Sequence, residues 1–377
     1  MIDNPFITKG YVGPEYFCDR EKETETLLKN VLSGCDTVLI SPRRYGKSGL
    51  IHHLMNRLKR DHPEFSTLLV DISTTTSLGS FLDTLSSAIL DSFPEKTPLG
   101  KRFMNFLKRV RPYFGFNELT GKTEVHLELV SVQEKEKTLS EVLGILESAP
   151  NPVLLAIDEF QRITEYPEAN MEALLRSCIQ NMHNVRFVFS GSKRRMMVSI
   201  FNDATRPFYA STASLHLQKL DKAVYGSFIA NLFDQYGRTI RPDALQYVLD
   251  WTRCHTYYTQ RLCQKLFYAG SRDITLDCVL HECGELLEAE EYTYLLFEEI
   301  LPVQQWRLLR GIAREQGVEQ ITASAFISRY RIGSAATALR AAESLEQKEM
   351  LLKTITREGS RYEVYDVFFS RWLEKEF

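Results

Sequence analysis

Val38-Leu-Ile-Ser-Pro-Arg-Arg-Tyr-Gly-Lys-Ser-Gly-Leu-Ile51 runs from a short apolar strand through a turn into an amphipathic helix. That order is what a phosphate-cradling loop requires. Backbone N–H groups and a helix N-terminus converge on an anion, Lys47 reaches its terminal phosphates, and Ser48 offers a hydroxyl to Mg²⁺. The spacing fits the Walker A pattern G-x-x-x-x-G-K-[ST], except that Ser41 stands at the first glycine. Serine serves there if its φ stays negative, and Pro42 biases it toward extended backbone. Leu50, Ile51, Leu54, Met55 and Leu58 recur at helical spacing and predict a helix packed on a sheet.

A second stretch answers the first. Pro152-Val-Leu-Leu-Ala-Ile157 is a buried-strand run ending in Asp158-Glu159-Phe160-Gln161. Carboxylates at the end of a fully apolar strand are costly to bury unless a metal or a cation pairs with them. Asp158 therefore reads as the Walker B aspartate, holding Mg²⁺ through water. Glu159 reads as the base or orienter of an attacking water. The plainer alternative is that Asp158 only caps the helix that follows. With a phosphate loop upstream, nucleotide binding is the expectation that accounts for both stretches.

Composition sets bounds on the rest. A chain of 377 residues predicts two or three domains rather than one core. A net charge of −3 gives no overall nucleic-acid footprint, so any basic surface must be local. The 7 cysteines are odd in number and form no C-x-x-C pair. Cys278, His281 and Cys283 suggest half a metal site, but the second pair of ligands is missing, so reduced thiols are expected. The N-terminus lacks the charged lead and apolar core of a signal peptide, and no apolar run has membrane-spanning length. The expectation is a soluble, cytoplasmic protein.

Along the chain, an opening segment from Asn4 to Gly34 includes a helix through Val31, with Asp19 as its expected N-cap. Strands are readable at Thr37–Ile40, Ser66–Ile72, Val153–Ile157, Val185–Ser190 and Ser214–Leu217, with helical patterns between most of them. Such alternation predicts a parallel sheet covered on both faces. Tyr113–Asn117 and Glu124–Val130 flank Gly121 and alternate apolar with polar, which predicts a hairpin inserted at about 112–131. After Leu220 the strand signals stop and a helical subdomain is expected to Glu298. Beyond Leu301, Val303, Trp306, Leu309 and Ile312 mark one helix and Ala325–Tyr330 a second. Ser334 caps a third, ending near Lys348. Leu351–Ile355 and Tyr362–Tyr365, separated by Glu358-Gly359-Ser360, complete a winged helix-turn-helix. Phe368, Phe369 and Trp372 on a closing helix are expected to pack it. The predicted fold class is α/β: a P-loop NTPase parallel sheet in residues 1–220, a helical lid in 221–298, and a winged helix in 299–377.

These stretches resemble the archaeal-type ATPase family, of the STAND branch near AAA+ proteins and related to the origin-recognition ATPases. Phe17-Cys-Asp-Arg-Glu21, Ser41-Pro-Arg-Arg-Tyr-Gly-Lys-Ser48, Ile157-Asp-Glu-Phe160, Phe189-Ser-Gly-Ser192 and Arg206-Pro-Phe-Tyr209 occur in the family's order. The resemblance covers nearly the whole chain. It implies ATP and Mg²⁺ as cofactors, bound by Pro42, Arg43, Arg44, Tyr45, Gly46, Lys47, Ser48 and Gly49 with Asp158 and Glu159. It further implies Ser192 as a sensor near the γ-phosphate, and Phe17, Asp19 and Arg20 near the adenine. Arg206 matches a basic position that supplies charge to a phosphate in cis or across a homo-oligomer contact, the alternative being a surface salt bridge. The chain departs from the family at Ser41 and at Cys254-His255-Thr256-Tyr257-Tyr258. His255 is expected to be a structural residue.

The expected function is a Mg-dependent ATPase used as a nucleotide-driven molecular switch. The alternative is a DNA-binding regulator or replication-type ATPase with little turnover. From Thr322 to Arg357 the chain carries six cations and three anions, a local +3. That modest excess leaves DNA and a protein partner as equal expectations for the winged helix. On the third helix, Ser334, Thr337, Arg340, Ala341 and Ser344 are expected outward and Leu339, Ala342 and Leu345 inward. Lys193-Arg194-Arg195 is a second basic cluster with the look of a solvated surface.

Overall fold

The computed structural model describes residues 3–110, 112–117, 121–356 and 359–376. They divide into two compact units, residues 9–219 and residues 3–8 with 220–376.

The first unit opens with α1 (Glu21–Ser33), β1 (Thr37–Ile40), α2 (Lys47–Asp61), β2 (Ser66–Asp71), α3 (Leu78–Ser92) and α4 (Pro98–Leu107). Next come the hairpin strands β3 (Pro112–Asn117) and β4 (Lys122–Leu127), then α5 (Val132–Glu147) and β5 (Val153–Asp158). It closes with α6 (Met171–Ile179), β6 (Val185–Gly191), α7 (Arg194–Asn202) and β7 (Ala213–His216). Five strands form one parallel sheet in the order β2-β5-β6-β1-β7. The order places β1, which carries the phosphate loop, beside β6, with the acidic end of β5 one strand further on. The carboxyl ends of the strands, where the order reverses, are where such sheets take ligands.

Period-two alternation divides the sheet between two apolar layers. Leu39 of β1 and Leu154 and Ala156 of β5 pack with Leu27, Leu50, Ile51, Leu54 and Leu58 of α1 and α2. Val38, Ile40, Leu155 and Ile157 pack on the other side with residues of α3, α5, α6 and α7. Every residue of β5 is buried, as a central strand covered on both faces requires. Truncating a member such as Leu54 to alanine should cost about 2–5 kcal/mol.

The hairpin forms as expected, with β3 and β4 antiparallel and Tyr113 level with His126; Glu118 to Thr120 of its turn lie outside the described residues. Asp19 does not cap α1. The N-cap is Arg20, both residues lie in the left-handed region at φ 56 and 76, and no side chain bonds the helix amides.

The second unit runs through α8 (Lys222–Gln235), β8 (Thr239–Ile240), α9 (Pro242–Trp251), α10 (Thr256–Tyr268), β9 (Asp273–Ile274) and α11 (Leu276–Ile300). β8 and β9 pair in parallel, a two-residue ribbon too short to register as strand in the sequence. Residues 3–8, expected with the opening segment, pack here instead. The Phe6 ring lies 4.6 Å from that of Phe233, Asn4 Nδ2 donates to Gln264 O at 3.2 Å, and Gln264 Nε2 donates to Phe6 O at 3.3 Å.

The unit ends in α12 (Val303–Arg314), α13 (Ser324–Tyr330), α14 (Ala335–Gln347), β10 (Leu351–Thr356), β11 (Gly359–Val364) and α15 (Val367–Glu376). Ser334 caps α14 by accepting from Thr337 N, and Phe368, Phe369 and Trp372 are buried. The inward face of α14 differs from expectation. Ala338, Ala341, Ala342 and Leu345 are buried, whereas Leu339 is 45% exposed beside Arg340. Close helix packing takes the small Ala341 at the contact and leaves the bulkier Leu339 outside. Arg357 and Glu358 of the wing lie outside the described residues. Among the described residues, no helix is long and apolar enough to cross a membrane.

Candidate nucleotide site

The loop between β1 and α2 alternates its backbone hand. Arg44 and Gly46 have φ of 64 and 91, while Arg43, Tyr45 and Lys47 stay negative. Such alternation turns successive amides to one side and builds an anion nest at a helix N-terminus. A Cβ at Gly46 would meet nothing within 4 Å, so backbone hand rather than space favours glycine there. Ser41 keeps the negative φ that serine needs, is buried, and donates its hydroxyl to Pro42 O at 3.0 Å. Lys47 is buried, with Nζ 3.4 Å from Ser41 O and 3.3 Å from Pro42 O. Its ammonium therefore lies within the loop rather than in solvent.

Asp158 ends β5 buried and fully engaged. Ser48 Oγ donates to its Oδ2 at 2.6 Å, Ser190 Oγ to its Oδ1 at 2.5 Å, and Glu159 N to Oδ1 at 3.0 Å. Glu159 follows in the left-handed region at φ 57. Its Oε2 accepts from Ser192 Oγ at 2.8 Å and from Gln161 Nε2. Ser48, Asp158, Glu159 and Ser192 thus form one hydrogen-bonded chain across α2, β5 and the end of β6. A Cβ on Gly191 would run into Gln161 Oε1 and the Met197 side chain, so the floor of this chain is close-packed.

Two members escaped sequence reasoning. Ser190 read only as a strand residue, although a hydroxyl one place before the strand end could have signalled a partner for the neighbouring carboxylate. Gln161 read as part of the Walker B string without a task of its own. Asp71 is also level with Asp158 in the β2–β5 register but is exposed.

The remaining candidates are spread around the loop. Phe17 stacks on His53 with centroids 4.5 Å apart, and a Cβ at Gly49 would touch its ring at 3.4 Å. Burial lowers the pKa of His53, and Arg57 and Arg60 lower it further. His52 is also lowered by burial, with Asp158 opposing. Both rings are therefore held toward the neutral form. Arg20 is buried and spans the site's edge, donating to Gln218 O at 2.6 Å and to Tyr45 O at 3.5 Å while pairing with Glu23 at 2.8 Å. Its guanidinium ties the loop to the segment after β7. Arg43 and Arg44 are exposed. Arg206 lies apart from the carboxylate chain, paired with Glu172 of α6 and donating to Ser199 Oγ at 2.8 Å. Lys193 pairs with Glu165 at 2.7 Å. In the second unit, His255 is buried against Tyr258 with ring centroids 4.6 Å apart.

Residues 37–195 match the family model described as "AAA domain", and residues 292–375 the one described as "Probable winged helix domain". The chain joins an AAA domain to a winged helix. Its fold is shared along nearly the whole chain with solved P-loop ATPases. A Walker-type ATPase of Pyrococcus abyssi superposes with a TM-score of 0.67 at 16% identity, over 98% of this chain and 99% of that one. The ORC2 protein of Aeropyrum pernix, solved as ADPNP–ADP complexes, gives 0.61 at 15%, over 98% and 95%. The ORC1 protein of the same organism, solved in complex with DNA, gives 0.52 at 12%, over 96% and 94%. At these identities the likeness is one of fold. No curated protein sequence matches. The AAA domain thus carries the loop, the acidic strand end and the hydroxyl chain described above, and the winged helix lies wholly in the second unit.

Proposed function

We propose that the AAA domain binds ATP with Mg²⁺ and hydrolyses it slowly, serving as a nucleotide-driven switch of the STAND kind. The observation that carries this reading is the Ser48–Asp158 pair at 2.6 Å, a hydroxyl and a carboxylate that meet at the mouth of an amide nest. Oxygen donors of this kind suit a hard divalent cation that keeps most of its water. Magnesium held by Ser48 and Asp158 would supply charge to the β- and γ-phosphates. Lys47 would release the loop carbonyls and bind the same phosphates as a point charge. Glu159, steered by Ser192 and Gln161, would orient the attacking water, and Ser192 would stand near the γ-phosphate. Phe17, with the neutral His53 behind it, would offer a flat apolar face to the base. Arg20 would hold the loop in shape without touching nucleotide. Calorimetry with ATP and Mg²⁺, followed by phosphate release, tests the reading. Absence of binding heat would end it.

The second reading, a DNA-binding regulator with little turnover, draws on the ORC1 protein solved with DNA and on the exposed Arg340 of α14. Against it, Arg329 is paired with Glu315 at 2.6 Å, Lys348 donates to Gln305 at 2.9 Å, and Lys353 lies over the Tyr362 ring at 5.4 Å. Exposed Leu339 beside exposed Glu343 suits a protein partner better than phosphates. A duplex titration across salt separates the two, because phosphate contacts give a steep slope.

A further inference from the structure

The β3–β4 hairpin carries a surface that the nucleotide site does not use. From Pro98 to Asn117 the chain holds Lys101, Arg102, Lys108, Arg109 and Arg111 and no Asp or Glu, a run of +5 in a protein of net −3. Within that run Tyr113, Phe114 and Phe116 are 61%, 49% and 67% exposed. Large rings left this open beside concentrated positive charge are not explained by folding, since burying them would have stabilised the domain.

The hairpin is firmly mounted. On β4, Val125 N donates to Ser87 Oγ at 2.9 Å and Leu127 N to Asp83 Oδ1 at 2.9 Å, both acceptors on α3, and Val125 is fully buried. Register places Phe114 and Phe116 on the same face as Val125 and Thr123, and Tyr113 on the opposite face with His126, ring centroids 5.0 Å apart. Glu124, the hairpin's described acid, sits opposite Gly115 on the Tyr113 face. The Phe114–Phe116 face therefore has rings and no acid among its described residues. Arg109 leads into β3, and with Arg102 and Asn105 it lines an open groove of about 500 Å³ between α4 and α5. Glu141 is the acid in that groove, 3.5 Å from Arg109.

We propose that this hairpin and groove bind single-stranded nucleic acid. Bases would stack on Phe114 and Phe116, and the phosphate chain would run along Lys101, Arg102, Lys108 and Arg109. Aromatic faces interleaved with cations are the chemistry that holds unpaired bases, whereas a duplex hides its base faces. A second copy of the chain is disfavoured as occupant, because it would bring the same positive run against itself. The site is independent of the winged helix and of ATP turnover.

The test is fluorescence anisotropy of the full-length protein with labelled oligothymidylate and oligouridylate of about 20 nucleotides, and with a duplex of equal length. Binding to the single strands should exceed that to the duplex, and the two strands show whether the 2′-hydroxyl matters. Phe114→Ala with Phe116→Ala should weaken binding at least tenfold. Because the rings are exposed, the melting temperature should hold. Lys101→Glu with Lys108→Glu offers an independent arm that should flatten the salt slope by about 1.4. Arg340→Ala in the winged helix should leave the affinity unchanged. No single-strand binding, wild-type affinity in both hairpin variants, or loss of binding through Arg340→Ala alone would overturn the proposal. So would a change of oligomeric mass on removing the rings, which would mark a protein-docking surface.

Discussion

Ser190 on β6 donates its hydroxyl to Asp158 Oδ1 at 2.5 Å, while Ser48 on α2 holds the other oxygen at 2.6 Å. One carboxylate is thus fixed from two elements that never touch in sequence. Ser190 is fully buried, and a hydrogen bond to a charged group contributes about 1.5–3 kcal/mol. Ser190→Ala should lower unfolding stability by that amount in urea titrations without nucleotide. An unchanged midpoint would show that the bond is not made.

Lys47→Ala should abolish ATP binding in calorimetry, because it removes the ammonium that lies against Ser41 O and Pro42 O within the loop. Glu159→Gln should keep ATP bound but slow phosphate release by about 10²-fold or more, the usual worth of a positioned base. Wild-type turnover by Glu159→Gln would remove that carboxylate from the mechanism.

Gln161 touches Glu159 rather than the loop. Gln161→Ala should therefore reduce kcat while leaving the ATP dissociation constant near wild type. A weakened affinity with normal kcat would instead make Gln161 part of the binding wall.

Arg206 and Glu172 form a half-buried, two-pronged pair. A double-mutant cycle with Arg206→Ala and Glu172→Ala should return a coupling of about 1 kcal/mol in stability. An arginine that served a neighbouring copy would show otherwise: no coupling, and turnover per chain that rises with protein concentration and vanishes in Arg206→Ala.

Cysteine reactivity should follow burial. The thiolate is the nucleophile, and burial pushes Cys18 and Cys283 up to about 12 and raises Cys263 as well. A hydrogen bond from Thr275 lowers Cys278, and Cys35 is exposed. Iodoacetamide at pH 8 should label Cys35 and Cys278 first, read by mass spectrometry of the peptides. Early labelling of Cys263 would mean that the core of the second unit opens readily.

The sheet and the loop were legible because period and spacing are local signals. β1 was expected at the bounds it takes, and the apolar run of β5 could pack only as a central strand. What the sequence hid were relationships made by folding. Ser190 becomes a partner of Asp158 only when β6 lies beside β5, and Arg20 finds Gln218 only across the sheet edge. Asp19 misled because its left-handed backbone places it before the helix rather than at its cap. On α14 size outweighed hydropathy, and Ala341 rather than Leu339 took the buried place. The open rings of β3 looked like ordinary alternation, since exposure is not written in a strand pattern.

Residues 3–8 lodge among α8 and α10 while the chain that follows builds the AAA domain. The backbone therefore passes between the two units at 8–9 and again at 219–220. Protease nicking at the second crossing would leave residues 3–8 covalently joined to the AAA domain and held in the second unit by packing alone, with the Phe6 plug as the anchor. The fragments should co-elute until that plug is melted out.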